Sequence, residues 1–206
     1  MVRFFCVDWR YNAVESMQGG VSMSFDIVLI RGNSASGKST IAKSLQLSLP
    51  NTMLISQDEI RRNMLRESDR DGADTMCVIE LLVATAKKMN RLVILDGIFR
   101  QDTYGDWLAE LFEKYSGTAW YLNVSLATTK DRHAGRAQSK GFGDEDLDAW
   151  YRPNDTIDAL NEYLVPETWT KDDTVSAILR TLSDVKQTEN VGGFRPKAAV
   201  INKEES

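Results

Sequence analysis

The chain has 206 residues, 42 % of them hydrophobic, enough for one domain with a substantial core. Its formal charge of −5 and pI near 5.0 weigh against a nucleic-acid partner, because phosphate neutralisation rewards a basic excess. No stretch approaches the roughly 18–20 uncharged apolar residues of a membrane helix. Cys6 and Cys77 offer neither a disulfide framework nor metal-ligand spacing. Asp8, Arg10 and Asn12 interrupt the apolar residues near the start, so a signal peptide is not expected and cytoplasmic localisation is the default.

Residues 1–24 lack clear periodicity and are expected to form a flexible extension. Phe25–Ile30 then reads as a buried strand, Ser39–Leu49 as a helix stopped by Pro50, and Thr52–Ser56 as a second strand. Ser56-x-x-Glu59 has the pattern of a capping box. Met76, Ile79, Leu82, Ala86 and Met89 share one helical face, and Leu92–Leu95 is a third, wholly apolar strand. Tyr104, Trp107, Leu108, Leu111, Phe112 and Tyr115 form another helical stripe, closed by Gly117. Ala119–Val124 and Glu162–Val165 complete five strands, and Thr170-x-x-Asp173 opens a last helix. Residues 187–206 read as a flexible tail.

Apolar strands alternating with amphipathic helices predict a three-layer, doubly wound, parallel five-stranded sheet over residues 25–186. Ligands of such folds sit beyond the carboxyl ends of the strands. The first of those positions holds Gly32-Asn33-Ser34-Ala35-Ser36-Gly37-Lys38-Ser39, the G-x-x-x-x-G-K-[ST] phosphate loop, between a strand and a helix. Gly32 and Gly37 allow the tight turn, and successive N–H groups form an anion nest at a helix N-terminus that begins with Ser39 and Thr40. Lys38 supplies mobile positive charge to the β- and γ-phosphates, and Ser39 a hydroxyl for Mg2+.

Asp58, just after the second strand, is placed to accept the proton of an attacking hydroxyl. Arg61, one helical turn on, is a candidate contact for the acceptor, whereas Glu59 is explained by the capping box. Asp96 ends the third strand as a Walker B carboxylate does, holding Mg2+ or facing the acceptor, and Gly97 would let a ligand approach. Arg100 is a further candidate substrate contact. The basic run Lys130, Arg132, Arg136 and Lys140, spaced for one helix face, suits a helical lid that neutralises charge on the nucleotide. His133, without partners at metal spacing, is expected to be an exposed lid residue.

Together these residues resemble small P-loop kinases of the polynucleotide-kinase, zeta-toxin and chloramphenicol-phosphotransferase group, over roughly Phe25 to Leu182. The likeness to polynucleotide kinases is greatest around Ile55-Ser56-Gln57-Asp58-Glu59-Ile60-Arg61. It implies a nucleoside-monophosphate-kinase-like fold, with Asp58 as acceptor-activating base and Arg61 as an acceptor-phosphate contact. It also implies lid cations at Arg136 and Lys140. A lysine lacks the guanidinium fork, so Arg136 or Arg132 would take over at Lys140. His133-x-x-Arg136 with Trp150-Tyr151-Arg152-Pro153 is also similar to bacterial kinases or AAA-type ATPases. The expected activity is transfer of a γ-phosphoryl group from ATP to a small-molecule hydroxyl, with Mg2+. GTP is the other donor considered, since no base-reading motif stands out. A 5′-hydroxyl polynucleotide kinase and a non-catalytic nucleotide switch are the competing expectations.

Overall fold

The computed structural model describes residues 25–134 and 143–188. The expectations for residues 1–24, for Arg136 and Lys140, and for the tail beyond Thr188 lie outside them. Five strands are present: β1 (Ile27–Gly32), β2 (Thr52–Ser56), β3 (Leu92–Gly97), β4 (Gly117–Asn123) and β5 (Tyr163–Pro166). Six helices connect or follow them: α1 (Lys38–Ser48), α2 (Asp74–Lys88), α3 (Gln101–Lys114), α4 (Leu126–Ala134), α5 (Asp144–Trp150) and α6 (Lys171–Thr188).

All four strand pairings are parallel, in the order β2-β3-β1-β4-β5. The doubly wound α/β sheet expected from the alternation is therefore present. Both faces of β1 are buried because side chains alternate across the sheet. Ile27 and Leu29 join Ile79, Val83, Leu108 and Leu111 of α2 and α3 on one face. Val28 and Ile30 join Ile41 and Leu45 of α1 and Ile178 and Leu182 of α6 on the other. Thr170 and Asp173 do form a reciprocal cap, with Asp173 N–H donating to Thr170 Oγ1 and Thr170 N–H to Asp173 Oδ2, both 3.1 Å.

Two local expectations give way. Ser56 does not cap a helix, because it is still strand, paired with Asp96 of β3. The chain instead makes one wide π-helical turn, Glu59–Met64, that starts from Asp58 without a side-chain cap. Glu59 accepts a bond from Asn63 Nδ2 at 2.7 Å rather than closing a box. His133 is 5 % exposed, because it lies one turn from buried Thr129 on the inner face of α4, and so is not an exposed residue.

Candidate active site

The five strands end at one edge, and β1 runs there directly into the phosphate loop. Gly32 has φ +142°, and a Cβ on it would stand 2.8 Å from the Leu122 carbonyl of β4. Its lack of a side chain thus serves packing against the neighbouring strand. Ala35 and Gly37 take φ +59° and +106°, so left-handed residues punctuate the loop and turn its N–H groups inward. The Lys38 ammonium donates to Asn33 O at 2.8 Å. Arg132 of α4 reaches back to donate to Ser36 O at 2.7 Å.

Beside the loop lies a cleft of about 340 Å³, lined among others by Lys38, Ser39, Lys43, Ser56, Asp58 and Asp96. It brings together the loop and the carboxylates at the ends of β2 and β3. The register explains this: Asp96 pairs with Ile30 of β1 and with Ser56 of β2, so it sits between the two strand ends. Burial pushes the Asp96 carboxyl above the usual range, opposed by the Lys38 charge and a hydrogen bond from Ser39. Its Oδ1 is buried without a hydrogen-bond partner among the described residues.

Asp58 is half exposed, and its Oδ1 receives Arg61 Nη2 at 3.0 Å and Arg62 Nε at 3.2 Å. Arg61 is mostly buried and spends Nη1 on the Glu67 carbonyl at 3.3 Å. Its two terminal nitrogens hold Asp58 and the following turn, while Nε is buried without a hydrogen-bond partner among the described residues. Arg100 is tied to Asp102 and Thr103 at the start of α3 and does not line the cleft. Gly97 lines the cleft, and it is also required by packing. A Cβ there would stand 2.5 Å from Gln57 Oε1 and from the Phe99 ring.

A second hollow, about 190 Å³, shares Gly37 and Thr40 with the first. Its walls include Leu122, Val124, Val165 and Trp169, with Arg132 at one side.

Sequence reasoning missed three supporting features. Arg31 of β1 is wholly buried and pairs with Glu162 at 3.0 Å and Asp155 at 2.9 Å. It also donates twice to the Phe99 carbonyl. Burial raises both carboxyls, against the lowering effect of the Arg31 charge. The Asn33 amide grips the backbone of Arg152, accepting its N–H at 2.9 Å and donating to its carbonyl at 2.8 Å. Gln57, buried at the end of β2, is the third. Only Arg31 carried a signal, as a charge inside an apolar strand that has to find buried partners.

The solved structures show the same fold at low identity. A gluconokinase from Sinorhizobium meliloti superposes with a TM-score of 0.56 at 15 % identity, covering 79 % of this chain and 94 % of that one. The APS kinase of Mycobacterium tuberculosis, solved with AMPPNP and APS, gives 0.58 at 12 %, covering 76 % and 96 %. A tunicamycin resistance protein from Deinococcus radiodurans gives 0.54 at 12 %, covering 76 % and 94 %. No curated protein matches the sequence. Among the described residues, no helix is long and apolar enough to cross a membrane. The family described as an AAA domain, AAA_33, matches residues 27–160, well over half of the chain. With a P-loop kinase-like fold and that match, the chain belongs to the AAA_33 family.

Proposed function

We propose that the protein is an ATP-dependent phosphotransferase that moves the γ-phosphoryl group to a hydroxyl of a small-molecule acceptor. The observation that carries this reading is the convergence of Lys38, Ser39, Asp58 and Asp96 on one cleft. A nucleotide switch needs the first two but has no use for a half-exposed carboxylate opposite the phosphate loop. The kinases among the structural neighbours agree with it.

The loop amides and Lys38 hold the triphosphate, and the hollow beside Arg132 and Trp169 receives the base. Asp58 accepts the acceptor's proton as the new O–P bond forms. The bond from phosphorus to the β,γ-bridging oxygen then breaks, and a nucleoside diphosphate leaves. Such transfer asks for alignment and charge neutralisation more than for a strong base. The donor set suits a hard cation: a buried carboxylate oxygen without a partner beside a serine hydroxyl. Ser39 and Asp96 would hold Mg2+, which supplies charge neutralisation on the phosphates. Arg61, committed to Asp58 and Glu67, weighs against an acceptor phosphate at that position and so against a polynucleotide acceptor.

Radiolabelled γ-phosphate offered with metabolites, nucleosides, antibiotics and a 5′-hydroxyl oligonucleotide tests the reading. Lys38→Ala is expected to abolish transfer and weaken nucleotide binding. Asp58→Asn is expected to spare binding and cut transfer about 100-fold or more. Unchanged transfer in the Asp58 variant would remove it from the mechanism.

A further inference from the structure

We propose that Gln57 is a positioning residue for this reaction, fixing the turn after Asp96 against the residue that precedes Asp58; the role rests on the phosphotransfer reading. Gln57 is 2 % exposed. Its Oε1 accepts two successive backbone N–H groups, Ile98 at 3.0 Å and Phe99 at 3.2 Å. Its side chain also hydrogen-bonds the Tyr104 hydroxyl, which in turn donates to Asp69. Every polar atom of the amide is thus aimed at the loop following β3 or at the helix that comes next.

The recipient of those bonds is a strained residue. Phe99 has φ +44°, in the left-handed region, with its ring fully buried. Its N–H is held by Gln57 and its carbonyl by Arg31, at 2.7 Å from Nη2 and 3.2 Å from Nε. Arg31 stands immediately before Gly32, and Gln57 immediately before Asp58. One residue therefore ties the strand that carries the phosphate loop to the strand that carries the candidate base. The close packing of Gly97 on Gln57 Oε1 and Cβ leaves the amide no room to slide.

Replacing the amide by an apolar side chain leaves two backbone N–H groups without their acceptor, which buried peptides avoid. The turn then relaxes away from β2, and Asp58 and Asp96 lose their fixed spacing. Misplacement by about 1 Å costs on the order of 100-fold in a reaction driven by alignment.

The test compares Gln57→Leu and Gln57→Glu in the full chain. The readouts are hydrolysis of Mg·ATP with water as acceptor, AMPPNP affinity, thermal melting, and exchange of the Ile98 and Phe99 amides by NMR. Gln57→Leu is expected to lose amide protection and about 10- to 100-fold in kcat. AMPPNP affinity and KM for ATP should stay within about threefold, with a cooperative melt. Gln57→Glu keeps an oxygen for both N–H groups and is expected to restore protection and most of the rate. The positioning role is overturned if Gln57→Leu keeps its rate, or if rate, affinity and melting all fall together. It also falls if the glutamate variant does no better than leucine. Wild-type protein that passes the γ-phosphoryl group neither to water nor to any acceptor of the screen sinks the phosphotransfer reading itself, and Asp58→Asn at the wild-type rate removes Asp58 from the mechanism and this positioning role with it.

Discussion

Two arginine–carboxylate clusters stand at the same edge of the sheet and differ mainly in their access to water. Arg31 lies fully buried between Asp155 and Glu162, with its ring-side contact the Tyr121 face at 5.2 Å. Asp58 sits half exposed between Arg61 and Arg62. A buried pair is costly to break, since the partner left behind is an uncompensated charge in a low-dielectric site. The Asp58–Arg62 pair, half exposed on both sides, is screened and contributes little to stability, so Asp58 can receive a ligand on its open side while Arg61 keeps its bonds. The first cluster therefore belongs to the scaffold, and the second has the access to water and ligand that the proposed proton transfer needs.

That contrast breaks most readily at Arg31. Arg31→Ala strands two buried carboxylates and is expected to cost about 3–5 kcal/mol in denaturant unfolding. A loss below about 1 kcal/mol would show that water reaches Asp155 and Glu162 and that the cluster is not a scaffold. Gly97→Ala, which drives a methyl group into Gln57 and Phe99, comes next at about 1–3 kcal/mol. It sharpens the comparison by testing the turn that Arg31 supports. Asp58→Asn should leave the melting temperature nearly unchanged while transfer collapses, the opposite of Arg31→Ala. Arg62→Ala, at the outermost pair, is expected to shift stability by no more than about 0.5 kcal/mol. A larger shift there would mean that the half-exposed cluster also carries structural weight.

The parts of the molecule that were legible in the sequence are those whose determinants are contiguous. The phosphate loop spans eight neighbouring residues, and its flanking strand and helix follow from local periodicity. Asp96 is legible beside it because it ends the third strand, and the third strand of such a sheet lies next to the phosphate-loop strand. What stayed hidden depends on contacts made across the chain. Arg31 meets Glu162 from 131 positions away, and no spacing rule reports such a pair. Gln57 looked like an ordinary residue between a strand and an acid, and its role exists only once β2 and β3 lie side by side. Gly97 carried a signal as a strand-end glycine, but the crowding by Gln57 and Phe99 that also requires it shows only once β2 and β3 lie side by side. Ser56 and Glu59 matched a capping pattern, yet the strand pairing of Ser56 with Asp96 overrode local propensity. The exposure expected of His133 failed because a basic surrounding sequence says nothing about which face of α4 turns inward.

The bond from the Lys38 ammonium to the Asn33 carbonyl has a bearing on how the loop meets a polyphosphate. The ammonium has three N–H donors and this bond uses one of them, so the chain orients the amine without taking all of its donors. A polyphosphate presents many oxygens to the amine and to the surrounding amides at once. The main chain of the loop thus sets where the amine starts, before any side chain of the cleft is involved.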